Sequence, residues 1–380
     1  MAIKLIEKKT FRESLVNPQF YRKVARPIAY AMSHNDPERV HEMALKMLSD
    51  YKDVVLDVSD NFNFPRLHVK LGKNKVLPFG PAEGLDKNGV ALDSLSFIFG
   101  FVPFGTVPVK PREGNARPRV AIDKDTNTVY NAQGFPSEGL NNILKNIEEY
   151  DGSLIMGNKP LLTSVCGIPE SEDLSVSYSE LKTLVTNLNP YSHGFIWNPF
   201  SPNTTALSAL RTPEVFYESA RLIREISGKE KLNLVKMGPY EVEEKERWLE
   251  LVGAFISGGG EGIIAVNTYK VSKEEVPKKN WGYPSAGKSG PFLQEYRQRA
   301  IKDTRQAFPK SIIIGAGGSL FSVDDTWSAF EKGANALVSY TTHIFNGFGV
   351  IPEISKGLER KLDEKGFNTL EEFQKETFGI

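Results

Sequence analysis

The sequence predicts an α/β protein, a (β/α)8 TIM barrel with an N-terminal helical extension, and three observations carry that expectation. Eight short apolar runs recur along the chain, at residues 76–84, 101–108, 160–167, 193–200, 232–239, 262–268, 311–318 and 336–342. Each carries Gly, Asn, Thr, Ser or Lys at or near its C-terminal end rather than running on in hydrophobic residues. Stretches with helical periodicity separate them, so the pattern reads strand, polar tip, helix. In such a barrel the active site is assembled from strand C-terminal ends and the loops after them, which makes the polar tips candidate site residues.

Composition narrows the class. At 380 residues, 40% hydrophobic and 25% charged, the chain can bury a large core as one barrel over residues 66–380, with an extension over 1–65. Its 47 basic and 47 acidic residues cancel, which gives no support for a nucleic-acid partner. A single cysteine, Cys166, excludes an internal disulfide and a Cys-based zinc cluster, and no metal site is expected. No run of about 18 apolar residues suggests a membrane span, and the N-terminal residues lack the apolar centre of a secretion signal.

The extension reads as two short helices between Asn17 and Leu48. One carries Phe20, Tyr21, Val24, Ile28, Ala29 and Met32; the other opens at Asn35-Asp36-Pro37 and carries Val40, Met43, Ala44, Met47 and Leu48. Asp36 as cap with Pro37 in the first turn is a strong start signal. These helices either cap one end of the barrel or, with Arg22, Lys23 and Arg26 beside them, lie on a membrane surface.

Four constellations on the tips carry chemistry. After the fourth strand comes Asn198-Pro199-Phe200-Ser201-Pro202-Asn203-Thr204, where two prolines stiffen the turn that aims Asn198, Ser201 and Asn203. Ser201 can act as nucleophile or proton acceptor only where its surroundings help it lose a proton. Asn131, after the second strand, and Asn267-Thr268, after the sixth, bring further amides to the same mouth. A primary amide offers an acceptor and two donors, which suits a planar ring whose edge alternates C=O and N–H, such as a pyrimidine. Lys87 follows the first strand and Lys236 lies within the fifth; an ammonium facing a barrel interior is costly unless it meets an anion, so Lys87 suits a substrate carboxylate and Lys236 an electron-rich ring. Lastly, Gly315-Ala316-Gly317-Gly318 and Tyr340-Thr341-Thr342 end strands seven and eight, where barrels commonly hold a phosphate. A glycine-rich loop at 285–290 would cover the same end.

Taken in order, FGPAEGLDKNG, FGTVPVKPREGNARPR, YNAQGF, NPFSPNT, LVKMGP, IIAVNT, SAGKSG, IIGAGG and LVSYTT resemble the dihydroorotate dehydrogenases, the FMN enzymes of pyrimidine synthesis, over residues 15–375. The helical extension with DPERVHE and the serine at position 201 resemble the membrane-associated, quinone-reducing class. The resemblance implies Ser201 as the base that takes a proton from C5 of dihydroorotate, Thr204 and a water as relay, and Phe135 close to the substrate. It implies substrate contacts at Lys87, Asn131, Asn198, Asn203, Asn267 and Thr268. Flavin contacts are implied at Ala82, Thr106, Lys236, Gly287, Gly317, Gly318, Tyr340 and Thr341, with His41 and Ile122 at quinone-tunnel positions.

This chain departs from that class at Val165, Phe200, Pro136 and Ile122, where Ile122 stands in place of an arginine. A related FMN barrel acting on another cyclic amide, one using a soluble acceptor, and a barrel that only binds a pyrimidine are the alternatives. The expected setting is peripheral membrane, on the cytoplasmic face of a bacterial inner membrane, or else the cytoplasm or a mitochondrial inner membrane. Expected partners are dihydroorotate or orotate and a membrane quinone, reached through the N-terminal helices.

Overall fold

The computed structural model describes residues 2–151, 159–168, 174–201 and 204–380. All eight expected strands form: β1 (Phe79–Pro81), β2 (Val102–Val107), β3 (Leu161–Val165), β4 (Gly194–Trp197), β5 (Leu232–Met237), β6 (Gly262–Ala265), β7 (Ile312–Gly315) and β8 (Ala336–Ser339). They make one parallel sheet in the spatial order β1-β8-β7-β6-β5-β4-β3-β2. Gly100 N–H donates to Phe79 C=O at 2.9 Å where the two ends of that order meet.

Alternation along each strand sorts its side chains. Leu234, Ile264, Ile314 and Val338 pack in the lumen with Leu162 and Ile196, while Val235, Ile263, Ile313 and Leu337 face the helices. A hairpin, Val69–Leu71 paired with Asn74–Val76, sends Leu71 and Val76 into the lumen cluster and closes its floor; Gly72 takes φ +60° at its turn. Each fully buried side chain such as Phe195 contributes about 1.5–3 kcal/mol.

One expectation of strand order needs correction. Asn131 does not sit on a barrel strand tip, and residues 285–290 are not simply a loop. Thr128–Asn131 and Ser285–Ser289 are strands of a four-stranded antiparallel sheet with Val120–Asp123 and Tyr269–Ser272, inserted after β2 and β6. Asn131 pairs in register with Gly287. The glycine-rich segment becomes a strand because it has partners on both sides, a circumstance its own composition does not encode.

The extension contains the two expected helical segments and more. Asp36 caps Pro37–Asp50 by accepting from Glu38 N at 2.9 Å, as its sequence foretold. The first segment runs from Pro18 to Met32 with a π turn at Tyr21–Ala25, and a further helix, Ala2–Val16, precedes it. Phe11, Leu15, Leu48 and Val55 belong to the same apolar cluster as the barrel's outer face.

A buried ion pair ties this extension to the inserted sheet. Glu38 accepts from Arg119 Nη2 at 2.8 Å and from its Nε at 3.0 Å, while Arg119 Nη1 donates to the carbonyls of Glu113 and Asn115. Both residues are more than nine-tenths buried. Removing one member of such a pair strands the other charge, so Glu38→Ala is expected to lower unfolding free energy by about 3–5 kcal/mol, read from the urea midpoint.

Candidate active site

The strand tips and the inserted sheet enclose one cavity at the C-terminal end of the barrel. Its walls include Lys87, Phe135, Asn198, Ser201, Asn267 and Tyr340. Asp86 shapes the loop that carries Lys87. Its buried carboxylate accepts from the N–H groups of Gly89 at 2.8 Å, Val90 at 3.0 Å and Ala91 at 2.8 Å. Loss of water pushes the Lys87 ammonium down to about 8, with Glu38 the leading charge acting the other way. Lys87 has no hydrogen-bond or ion-pair partner among the described residues, which leaves its charge available to an anion.

The amides form a connected row across the mouth. Thr106 Oγ1 lies 2.9 Å from Ser164 Oγ; Asn198 Nδ2 donates to Thr106 Oγ1 at 2.9 Å; Asn267 Nδ2 donates to Asn198 Oδ1 at 3.3 Å; and Asn267 Oδ1 accepts from Thr268 N at 2.7 Å. Tips of β2, β3, β4 and β6 are thereby locked to one another. A row of donors and acceptors held by its own members meets a ligand without first having to be ordered.

Ser201 follows a braced segment. Arg211 Nε donates to the Pro199 carbonyl at 3.1 Å and the guanidinium lies 4.7 Å from the Phe200 ring centroid. Ser201 lines this cavity and also an adjoining one, which contains Thr204, Arg211, Arg247 and Lys270. Thr204 therefore faces the neighbouring space rather than the main one, and Asn203 lies outside the described residues. On the opposite wall Gly134 and Phe135 take φ of +69° and +57°, a conformation that costs a non-glycine residue about 1–3 kcal/mol and that here points to a constrained loop at the site.

At the far end, Gly317 and Gly318 adopt φ of +90° and +66°, and their N–H groups have no acceptor among the described residues. A Cβ at Gly318 would sit 2.7 Å from the Gly290 carbonyl oxygen, so glycine is required for this close approach. Ala82, Thr106, Lys236, Tyr340 and Thr341 line the same cavity. Gly287 does not line it and acts from behind, its carbonyl accepting from Asn131 Nδ2 at 3.1 Å. His41 stands edge-on to Tyr340, ring centroids 5.8 Å apart; loss of water, reinforced by the Lys87 charge, pushes its imidazole down to about 3. Ile122 lies on the inserted sheet, away from the cavity wall.

Two residues of the site escaped sequence reasoning. Ser164, in the middle of an apolar strand, contributes the hydroxyl that anchors Thr106. Glu83, on the turn after β1, forms a buried ion pair with Lys236, so the anion met by Lys236 belongs to the chain itself. The cost of an unpaired ammonium inside the barrel was a signal that such a partner had to exist.

Residues 67–362 match the profile of the dihydroorotate dehydrogenase family. The chain belongs to that family. Membership makes it an oxidoreductase of pyrimidine synthesis that oxidises dihydroorotate. A dihydroorotate dehydrogenase (quinone) from Trichodesmium erythraeum is 30% identical over 386 residues, covering 93% of this chain and 97% of that protein. One from Delftia acidovorans is 28% identical over 352 residues, with 88% and 97% covered. The crystal structure of an Eimeria tenella dihydroorotate dehydrogenase in complex with ferulenol superposes with a TM-score of 0.77 at 21% identity, covering 90% of this chain and 95% of that one, which bears on the fold. The family's barrel is the fold the strand tips announced.

Proposed function

We propose that this dihydroorotate dehydrogenase is FMN-dependent and that Ser201 is its base. The observation that carries the proposal is the locked row Thr106–Asn198–Asn267–Thr268 sharing one cavity with Ser201 and the unpaired Lys87. Lys87 pairs with the substrate carboxylate. Asn131, Asn198, Asn203, Asn267 and Thr268 read the amide edges of the ring, and Phe135 covers it. Ser201 takes the C5 proton and hands it, through Thr204 and a water in the adjoining cavity, toward solvent.

The residues present suit a flavin mononucleotide. The free N–H groups of Gly317 and Gly318, with Thr341 nearby, fit its phosphate; Ala82, Thr106, Lys236 and Tyr340 would hold the remainder, and Gly287 would support them through Asn131. Bound there, FMN would supply the redox chemistry, as acceptor for the C6 hydride and donor of electrons to a quinone. The protein's own share is to orient the ring, hold its carboxylate and move one proton.

Residues 1–65 serve in this reading as a quinone entrance at a membrane surface. Val24, Ile28 and Met32, spaced four apart on the same helical segment, are 38%, 50% and 68% exposed, and Arg22, Lys23 and Arg26 accompany them. No helix among the described residues is long and apolar enough to cross a membrane. In this reading the protein attaches peripherally to the cytoplasmic face of a bacterial inner membrane, with His41 and Tyr340 beside the quinone path and Ile122 near it. The test of the whole reading is whether dihydroorotate reduces a flavin bound to the purified protein.

A further inference from the structure

The barrel lumen holds a charge pair, Lys236 and Glu83, and the proposed function gives a task to the lysine alone. Lys236 has the inward parity of Leu232 and Leu234 on β5, so its ammonium rises from the apolar floor into the cavity. Glu83 reaches it from the turn after β1, which stands four strands away in either direction around the sheet. The pair therefore spans the lumen. Lys236 is 8% exposed and Glu83 2%.

A buried ion pair stabilises a fold only when its remaining lone pairs are also satisfied. Here they are not: Glu83 Oε2 takes the lysine, while Glu83 Oε1 is buried on the cavity wall with no hydrogen-bond partner. A carboxylate oxygen in that position is an acceptor held ready for a donor that enters with a ligand.

We propose that Glu83 is a cofactor-facing residue that lowers the reduction potential of the bound flavin, Oε2 offsetting the charge of Lys236 and Oε1 accepting a hydrogen bond from a ring N–H or a hydroxyl of the cofactor. The inference rests on the FMN reading. Two-electron reduction adds negative charge to the ring system, and charges beside the ring set how readily that happens. Lys236 alone would favour the reduced form strongly. Glu83 removes part of that bias, which eases delivery of the electrons to the next acceptor.

A spectroelectrochemical titration of the purified, flavin-loaded protein at pH 7 reads the midpoint potential without turnover. Glu83→Gln and Glu83→Ala are each expected to raise the equilibrium constant for two-electron reduction at least tenfold, about 30 mV upward. Glu83→Asp, which keeps the charge, is expected to stay within about threefold of the parent. Neutral variants whose midpoint is unchanged or lower overturn the proposal, as does an Asp variant that moves as far as they do. A parent protein that takes up no flavin overturns the FMN reading itself, and this inference with it, whereas flavin uptake with an unmoved midpoint overturns this inference alone.

Discussion

Ser201→Ala is expected to slow dihydroorotate oxidation by about 10²–10⁴-fold, the usual contribution of a positioned base, while the flavin content and the dissociation constant for dihydroorotate stay close to those of the parent. The separation follows from the local structure. The segment before the serine is held by Arg211 on the Pro199 carbonyl and against the Phe200 ring, so its course does not depend on the serine hydroxyl. Lys87 and the amide row, which hold the ring, are built from other strand tips. Stopped-flow measurement of flavin reduction isolates the step, because it excludes quinone and product release. A variant that reduces its flavin at the parent rate would remove Ser201 from the chemistry.

Lys87→Met is expected to weaken dihydroorotate binding by about 30-fold to several thousand-fold, the 2–5 kcal/mol typical of truncating one partner of a buried charge pair. The pH dependence identifies the cause. Desolvation holds Lys87 at about 8 in the ligand-free protein, below its ordinary 10.5. The cationic form is the one that attracts a carboxylate, so affinity is nearly full at pH 7, about halved at pH 8 and roughly tenfold lower by pH 9. In Lys87→Met that slope should vanish between pH 7 and 9. A variant that keeps the slope would assign it to another group.

The contrast between what was legible in the sequence and what was not follows the range of the interactions. The barrel strands announce themselves because each is an apolar run closed by a polar tip, and the Asp36-Pro37 cap is a local device that one short segment encodes completely. Asn198, Asn267 and Thr268 were legible for the same reason, since a strand tip positions them. The antiparallel sheet was not, because Ser285–Ser289 is polar and glycine-rich and becomes a strand only between two partners, Tyr269–Ser272 and Thr128–Asn131. Glu83 and Lys236 are separated by 153 positions along the chain. The need for an anion near Lys236 was visible, but which carboxylate crosses the lumen is a property of closure. Ser164 was hidden by its apolar neighbours, and its role emerges from register: it stands beside Ile196 on β4, and its hydroxyl reaches Thr106 on β2.

The central claim is that one cavity brings together a flavin, a pyrimidine ring and Ser201. An anaerobic absorbance spectrum of the purified protein, taken before and after adding dihydroorotate, tests it most directly. A flavin band that bleaches on addition is the predicted result, since it requires cofactor, substrate and proton acceptor to act in the same place. A flavin band that persists, or a protein that carries no flavin, would contradict the account.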